Sequence, residues 1–464
     1  MKRRFYLFSL IIVLFTTNFS IAANPTPEET GEDVELLIEF ILENYSGSGI
    51  DEEMLYDATV KGLFDALDPY SDYYTEEEYE ELYEYVSSSF YGIGAQLQLD
   101  LDTGYTRVID VLDDSPAEES GLLEDDLIIG VDEESVKDLD LDLVVNMIKG
   151  DKDTPVILTV KRGEEQLDIE IIRGLIRLTE TIQVDLEELY ANWESPVIDK
   201  TEYVVISKFN STVADDFARI LYDAISNDKE YLVLDLRNNP GGYVDQVVEM
   251  CDYLVPEGPV LYTVENNGTE EVYNSTLEEE IFKEIVVLTN NNSASASEIL
   301  ASAIQESGAG IVAGEQTYGK GTVQQLFSFK ESGFKLTIAE YFSRDRNKIN
   351  NIGVIPNIEV KTANILPSAN KRYKAGMTED FVKSIEEILR YLGYFSDTPD
   401  RVYDKTTEVA IKRFQAENDL YPYGICDFST QSKLNEILLK SLENNDRVLE
   451  RALYYLDEYD NNFR

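Results

Sequence analysis

Residues 290–325 contain a serine and a lysine whose surroundings could support chemistry. The β-branched run at residues 285–288 predicts a buried strand. Ser295-Ala296-Ser297-Glu298 then fits the S-x-x-E capping box that begins a helix. A serine at such a turn lies beside unpaired helical N–H groups and the positive end of the helix dipole. That position suits a nucleophile whose attack creates an oxyanion, although taken alone the motif is more often only a helix N-cap.

The composition determines which base such a serine could use. The chain contains no histidine, so a Ser-His-Asp triad is impossible. Lysine can serve if burial lowers its pKa toward neutrality, because a low dielectric disfavours the charged ammonium. Lys320 lies between two glycines, which let the backbone turn tightly and approach other backbone. The residues after it predict a strand in which Lys320 and Gln324 share one face, so the amide could orient the neutral amine.

SASASEI followed by GKGTVQ resembles the carboxyl-terminal processing (tail-specific) serine peptidases, which use a Ser–Lys dyad, often with a supporting glutamine. The family's nucleophile and lysine are 25 residues apart, and of the three serines only Ser295 has that spacing to Lys320. The resemblance therefore implies that Ser295 is the nucleophile, Lys320 the general base and Gln324 the supporting amide. It implies no cofactor, and without histidine or clustered cysteines the chain offers no zinc site.

A second motif, DLRNNPGG, lies between a predicted buried strand and a predicted helix. Its glycines allow an N–H group to face a bound carbonyl oxygen. The motif resembles the family's DLRxNxGG sequence, which implies one oxyanion donor at Gly241 and a second at the N–H of Ala296. A tight turn alone is a compatible interpretation. The resemblance places a peptidase core of the ClpP/crotonase-like α/β type at residues 174–362.

Residues 88–172 resemble a PDZ domain, a β-rich fold with two helices. The sequence FYGIGA resembles the carboxylate-binding loop, in which the N–H groups of Gly92, Ile93 and Gly94 would hold a peptide's terminal carboxylate. The next strand would present a sheet edge to which that peptide adds. The predicted groove is lined by apolar side chains, namely Ile93, Leu97 and Val145. The alternative is a structural β-rich domain without a ligand.

The remaining segments complete a predicted multidomain α/β chain. Residues 28–86 are interpreted as helical, with an LDPYS sequence similar to the family's LDPxS signature, and would form either a cap on the core or a dimer contact. Residues 376–440 resemble a three-helix peptidoglycan-binding domain, a scaffold that can also serve only as a spacer. Residues 441–464 resemble the closing helix of the peptidase unit.

Charge and the N-terminus predict where the protein works. The chain has 39 basic and 91 acidic residues, a net charge of −52, which argues against nucleic acid and anionic lipid as partners. Residues 1–23 combine a basic start, an apolar run and a small-residue end, as in a signal peptide or an uncleaved signal anchor. Either predicts an extracytoplasmic protein that is secreted, associated with the cell wall or anchored. Two cysteines in different predicted domains provide no disulfide framework.

The sequence thus predicts an exported serine endopeptidase that recognises protein carboxyl termini through a PDZ domain and hydrolyses peptide bonds. Expected partners are proteins or peptides with apolar carboxyl termini, with cell-wall glycan as a further candidate and a homodimer as the assembly implied by the resemblance. One rival is a non-catalytic PDZ scaffold tethered at the cell wall. Another is a wall-anchoring protein whose peptidase core is only structural.

Overall fold

The computed structural model describes residues 27–190, 195–361, 363, 365–367, 371–444 and 446–463. The predicted signal peptide or anchor lies outside these residues. Across the part of the chain that the structure describes, no helix is both long and apolar enough to cross a membrane.

The N-terminal segment is helical with one exception. Its elements are α1 (Pro27–Asn44), α2 (Glu52–Phe64), β1 (Asp72–Tyr74) and α3 (Glu76–Ser87). The interpretation of residues 28–86 as helices with a break at 66–71 did not include β1, which pairs antiparallel with a long strand much later in the chain and places Tyr73 opposite Phe334. Helix α2 ends at Phe64, before Pro69 is reached, and Tyr73 is buried. A pairing of this range leaves no local signal in the sequence.

The region predicted to be a PDZ domain forms a β-rich unit with its own core. Its elements are β2 (Ser89–Gly92), β3 (Ala95–Asp100), β4 (Tyr105–Val111), α4 (Pro116–Glu119), β5 (Leu127–Val131), β6 (Glu134–Ser135), α5 (Leu141–Ile148), β7 (Pro155–Arg162), β8 (Glu165–Ile172) and β9 (Gly174–Arg177). The sheet order is β3-β4-β5-β7-β8, so β3 lies at an edge, and β6 pairs with β5. The strands β2 and β9 pair with each other at the entry and exit of the unit. Side chains such as Val108, Ile128, Val144 and Leu158 fill its interior.

The central domain is built on a mostly parallel sheet. Its first elements are β10 (Thr181–Gln183), α6 (Leu186–Leu189), β11 (Thr201–Ile206), α7 (Val213–Ser226), β12 (Tyr231–Asp235), α8 (Val244–Leu254), β13 (Gly258–Glu265) and β14 (Glu270–Ser275). The rest are β15 (Glu284–Thr289), α9 (Ala296–Ser307), β16 (Gly310–Gly314), β17 (Thr322–Phe329), β18 (Ser332–Ser343) and β19 (Ile358–Glu359). The sheet order is β10-β11-β12-β15-β16-β19, parallel except for β10. The strands β12 and β15 are buried on both faces, which explains their unbroken apolar sequences.

A second, antiparallel sheet packs beside the first. Its order is β1-β18-β13-β14, and β17 pairs with β18 as a hairpin. The strand β18 thus joins the N-terminal segment through β1 to the hairpin that follows the lysine loop. The core between this sheet, the helices α7 to α9 and the parallel sheet includes Phe209, Phe217, Met250, Leu300 and Tyr341.

The C-terminal part contains a helical module and a separate last helix. The helices are α10 (Asp380–Tyr391), α11 (Lys405–Glu417), α12 (Phe428–Asn444) and α13 (Arg447–Phe463). The first three share a core that includes Ile385, Phe414 and Leu434. The helix α13 instead packs its Leu449, Leu453 and Leu456 against Val233, Val286 and Leu288 of the parallel sheet. The last helix therefore closes the central domain, and the three-helix module lies before it in sequence.

Candidate active site

Two loops meet at the carboxyl edge of the parallel sheet. The strands β12 and β15 are parallel neighbours, so the loops that follow them emerge side by side, where ligand sites form in such sheets. The Leu236 N–H donates to the Leu288 carbonyl at 2.9 Å. The Asn290 amide accepts from the Asn238 N–H at 2.9 Å and donates to the Asn238 side chain at 2.9 Å. The loop with the DLRNNPGG motif is thereby held against the loop with the serines.

Ser295 is the N-cap of α9 and has an unusual backbone conformation. Its φ of 56° and ψ of −115° lie in a region that non-glycine residues rarely adopt, at a cost of about 1–3 kcal/mol. The neighbouring Ser293 and Ser297 are fully buried, and their hydroxyls donate to the backbone carbonyls of Leu236 at 2.7 Å and Asn239 at 3.0 Å. Ser295 is only half-buried. Of the three serines, it is the one whose position suits a nucleophile.

The two predicted oxyanion donors differ in their present hydrogen bonds. A side chain at Gly241 would place its Cβ 2.7 Å from the Ser295 Cβ and 2.9 Å from the Ala296 nitrogen, so only glycine fits against the serine. The Ala296 N–H makes no hydrogen bond within the described residues. The Gly241 N–H, however, donates to the Asn239 side-chain oxygen at 2.8 Å. Gly241 could bind an oxyanion only by exchanging or sharing that bond.

Lys320 lies in the loop between β16 and β17 with its amine largely shielded from water. Its Nζ forms neither a hydrogen bond nor an ion pair in the part of the chain that the structure covers, and it lies 5.1 Å from the centre of the Tyr70 ring. Burial lowers the pKa of Lys320 and the charge of Lys335 lowers it further, whereas Glu298 and Asp68 act in the opposite direction. A lowered pKa is what a lysine base requires.

The side chains of Ser295 and Lys320 share no hydrogen bond among the described residues, although their backbone N–H groups bind the same carboxylate. Catalytic hydrogen bonds are often long in a substrate-free enzyme and shorten when substrate binds. The glycines beside the lysine are needed by the loop. Gly319 has a φ of 90°, and a Cβ at Gly321 would lie 2.3 Å from the Asn350 nitrogen.

The structure corrects the expected relation between Lys320 and Gln324. The strand β17 begins at Thr322, so Lys320 precedes it, and the register shifts between Val323 and Gln324. Side-chain alternation along one regular strand therefore does not apply to this pair. The Gln324 amide nitrogen donates to the hydroxyls of Thr322 at 2.8 Å and Thr337 at 3.1 Å. No hydrogen bond from Gln324 to Lys320 is found in the described chain.

Glu298 connects the serine turn to the lysine loop. Its side chain is fully buried, and Oε2 accepts from the Ser295 N–H at 2.9 Å and from the Lys320 N–H at 2.8 Å. Oε1 accepts from the Gly319 N–H at 2.7 Å and from the Thr317 hydroxyl at 2.5 Å. One carboxylate thus fixes the backbone of both predicted catalytic residues. The capping-box pattern identified Glu298 only as a helix start, and its other three donors follow 19–22 residues later in the chain.

Two further connections have no sequence signal of their own. The buried Tyr341 hydroxyl donates to the Lys320 carbonyl at 2.8 Å and lies 3.2 Å from the Ser295 carbonyl oxygen. Arg237, in the DLRNNPGG loop, pairs with the neighbouring Asp235 and donates to Asp446 at the start of α13 at 2.6 and 2.8 Å. The last helix therefore supports the loop that carries Gly241.

A cleft of about 590 Å³ lies over this arrangement. It is lined by residues from the N-terminal segment, the loop after β12, the serine turn and the lysine loop, namely Tyr70, Tyr85, Ser207, Lys208, Asn238, Pro240, Asn292, Ala294, Tyr318 and Lys320. A cleft lined by the lysine and by the turn before Ser295 could admit an extended polypeptide.

The predicted carboxylate-binding loop has free N–H groups. The carbonyls of Ile93 and Gly94 accept from Ala117 at 2.8 Å and Leu112 at 2.9 Å, whereas their N–H groups donate no hydrogen bond within the described residues. Gly92 is instead the end of β2, opposite Gly174. The adjacent β3 is an edge strand, as a peptide-adding strand requires. The Ile93 side chain is only 3 % exposed and belongs to the domain core, while Leu97 and Val145 are half-buried.

Comparisons with known protein families identify three regions. A model described as peptidase family S41 matches residues 200–360. A PDZ domain model matches residues 107–162, and a putative peptidoglycan binding domain model matches residues 378–434. These matches confirm the predicted multidomain α/β organisation, with a PDZ domain, an S41 peptidase core and a C-terminal helical region.

Curated relatives match nearly the whole chain. The carboxy-terminal processing protease CtpA of Bacillus subtilis is 32% identical, with 98% of this chain and 98% of CtpA covered. CtpB of the same organism is 31% identical, with 93% and 90% covered. Among solved structures, the photosystem II D1 C-terminal processing protease is 25% identical at a TM-score of 0.42, with 80% of this chain and 92% of that chain covered. The full-length identity to CtpA and the S41 match show that this chain belongs to the carboxy-terminal processing serine protease family.

Proposed function

We propose that the protein is an exported endopeptidase in which Ser295 and Lys320 form a catalytic dyad and the PDZ domain recognises substrate carboxyl termini. The observation that carries the proposal is the Glu298 carboxylate, which binds the backbone N–H of both residues at 2.9 and 2.8 Å. A scaffold without catalysis has no need for a buried carboxylate that holds a strained serine and a desolvated lysine together.

In the proposed mechanism, the Ser295 hydroxyl attacks the carbonyl carbon of the scissile bond and its proton passes to the neutral Lys320 amine. The tetrahedral oxyanion accepts a hydrogen bond from the Ala296 N–H and a second from Gly241, once Asn239 releases it. The Lys320 ammonium then protonates the leaving amine, which departs and leaves an acyl-enzyme. Water, deprotonated by Lys320, hydrolyses that ester and restores the serine. Gln324, held by its two threonines, would orient the lysine amine and transfers no proton.

Substrate selection is assigned to the PDZ loop. The N–H groups of Ile93 and Gly94 have no acceptor among the described residues and can donate to a terminal carboxylate, and the edge strand β3 can pair with the peptide's backbone. Half-buried Leu97 and Val145 beside this edge favour an apolar last residue. Substrates are therefore proteins or peptides with free, apolar carboxyl termini.

We place the protein outside the cytoplasm on the signal-like residues 1–23 and the peptidoglycan-binding match. Cell-wall glycan is the ligand that this match suggests for the C-terminal module, whose Tyr421 is 80 % exposed. The assembly proposed is a homodimer. In its support, the apolar Leu36, Leu37 and Phe40 of α1 are about 60 % exposed, which a monomer rarely tolerates on one helix.

The experiment is degradation of an unfolded protein by the full chain, measured by appearance of new termini. Ser295→Ala and Lys320→Ala are expected to lose activity by about 10⁴-fold or more. Ser307→Ala is the matched control, because this serine lies at the far end of the same helix, where its hydroxyl donates to the Ile304 carbonyl at 3.1 Å and accepts from the Ala309 N–H at 3.4 Å. Activity that survives in Ser295→Ala would contradict the proposal.

A further inference from the structure

The turn between α2 and β1 lies directly on the predicted active site, although it is far from it in sequence. The strand β1 pairs with β18, and Asp72 lies opposite Lys335. This pairing carries residues 68–71 to the point where β18 meets the hairpin strand β17. On that hairpin, Gln324 lies opposite Thr337.

Hydrogen bonds fix the turn to Thr337. The Thr337 hydroxyl donates to the Asp68 carboxylate at 3.1 Å, and the Thr337 N–H donates to the Ser71 hydroxyl at 3.0 Å. The same Thr337 hydroxyl accepts from the Gln324 amide at 3.1 Å. Within the turn, Asp68 also accepts from the Tyr70 N–H at 2.8 Å and the Ser71 hydroxyl at 2.9 Å. Asp68 is thus joined to Gln324 through a single threonine.

The charge of Asp68 is part of this arrangement. Burial by itself would raise the pKa of Asp68, but the hydrogen bonds from Tyr70, Ser71 and Thr337 outweigh it and hold the pKa below its usual value. The carboxylate is therefore charged at neutral pH, and its charge acts on Lys320 in the direction that raises the lysine's pKa.

Tyr70 is the residue of the turn that contacts the lysine. Its ring centre lies 5.1 Å from Lys320 Nζ, and both residues line the cleft. Burial and a hydrogen bond with Tyr318 raise the pKa of Tyr70 to about 12, so its hydroxyl is neutral at neutral pH. The ring occupies space that water would otherwise take beside the amine.

We propose that the turn at residues 68–71 is part of the active site, in which Tyr70 shields the Lys320 amine from water and Asp68 positions Gln324 through Thr337. This rests on the proposed function, since it deepens the role of the lysine and the glutamine. Tyr70 and Asp68 are positioning residues, because they act through other groups. The turn has no such role if the N-terminal segment is only a cap or a dimer contact.

The Tyr70 ring acts on the pKa of Lys320 in two opposite ways. A ring face near an ammonium stabilises the charged form, and this attraction is stronger when the site is shielded from water. Desolvation disfavours that form by up to several pKa units in buried sites, and burial is the largest cause of the lowered Lys320 pKa. Removing the ring should therefore raise the lysine's pKa. The charged groups that act on the amine, namely Lys335, Glu298 and Asp68, are unchanged by the substitution.

Substitutions of Tyr70 and of Asp68 should shift the pH dependence of kcat/KM in opposite directions. In Tyr70→Ala, the rise of kcat/KM with pH moves to higher pH, and activity at neutral pH falls about tenfold for each unit by which the lysine's pKa rises. In Tyr70→Phe the ring remains, so kcat/KM should rise at nearly the same pH as in wild type. In Asp68→Asn the loss of a negative charge moves the rise to lower pH, while the loosened Gln324 lowers kcat.

The test that does not depend on catalysis is the titration of Lys320 itself. The full chain carrying Ser295→Ala is prepared with ¹³C-labelled lysine, and the Lys320 signal is assigned by its loss in a Lys320→Ala variant. A higher pKa in Tyr70→Ala supports the shielding role, even if the protein cleaves no peptide. An unchanged Lys320 titration in Tyr70→Ala overturns it. Tyr83→Ala and Asp65→Asn are matched controls, because both side chains are exposed in the same segment and neither should move the titration.

Discussion

Replacing Glu298 by glutamine removes the negative charge of the carboxylate and one of its two acceptor oxygens. The variant therefore isolates what these two features contribute to stability and activity. The side chain keeps its shape, but one oxygen becomes an NH₂ group. If that group takes the Oε2 position, it faces the N–H groups of Ser295 and Lys320, neither of which can accept. If it takes the Oε1 position, it faces the Thr317 hydroxyl, which can rotate to accept, and the Gly319 N–H, which cannot. Even the better orientation leaves one buried donor unsatisfied.

The expected loss in the free energy of unfolding follows from the number of unsatisfied donors. An unsatisfied buried donor costs about 1–3 kcal/mol, and the remaining hydrogen bonds lose their charge assistance. We expect Glu298→Gln to lower the free energy of unfolding of the peptidase core by about 3 kcal/mol, or roughly 6–12 °C in Tm for a domain of this size. Glu298→Ala leaves four donors without an acceptor and should cost about 4–5 kcal/mol, near the upper end for a single substitution.

The expected functional loss is larger than the loss of stability. A displacement of about 1 Å between catalytic groups costs about 10²-fold in rate. Because the Glu298 charge raises the pKa of Lys320, its removal should also move the rise of kcat/KM to lower pH. The assay combines thermal unfolding with kcat/KM measured across pH. Glu278→Gln is the matched control, because that glutamate is exposed on the same domain.

A Glu298→Gln protein with a Tm within about 1 °C of wild type and unchanged kcat/KM would overturn this expectation. Such a protein would show that the carboxylate does not hold the serine turn and the lysine loop together. Loss of activity with wild-type stability would mean that the charge acts on catalysis alone.

Three further predictions follow from the same geometry. In wild type, kcat/KM should rise with pH through a Lys320 pKa that lies below the usual lysine value of about 10.5. Lys320→Arg should be inactive at every pH because arginine keeps its proton. Turnover by Lys320→Arg would contradict this prediction. Gln324→Ala should slow cleavage less than Lys320→Ala, since the amide orients and transfers no proton, and equal losses would give Gln324 a larger role. A peptide with an amidated carboxyl terminus should be cleaved more slowly than its free acid. The free carboxylate can accept charge-assisted hydrogen bonds from the N–H groups of Ile93 and Gly94, each worth roughly 1.5–3 kcal/mol. Identical cleavage rates would show that the PDZ loop does not bind carboxyl termini.

Features with a local cause were predictable from sequence. The turn from β15 into α9 follows from an apolar run, a polar turn and a capping pattern that lie close together in the chain, and the structure places these elements there. The glycines around Lys320 indicated close backbone contacts, and the backbone of Gly321 does lie so near Asn350 that a Cβ would collide with its nitrogen. The need for a base other than histidine followed from composition alone.

Features with a distant cause were not predictable in this way. The strand β1 is three residues long and is extended because it pairs with β18, which lies much later in the chain. Side-chain alternation, from which a shared face of Lys320 and Gln324 was expected, does not apply because the strand starts after the lysine and its register shifts before the glutamine. The ion pair of Arg237 with Asp446 forms because α13, the last helix, packs against the parallel sheet. Such contacts follow from tertiary packing, which periodicity does not record.

Activation of Ser295 by Lys320 is tested most directly by labelling the full chain with a serine-reactive fluorophosphonate and locating the adduct by mass spectrometry. We expect slow labelling at Ser295 in wild type, faster at higher pH, and none in Lys320→Ala, Lys320→Arg or Ser295→Ala. Labelling of Lys320→Ala at the wild-type rate, or an adduct on Ser293 or Ser297 in place of Ser295, would contradict the proposed dyad.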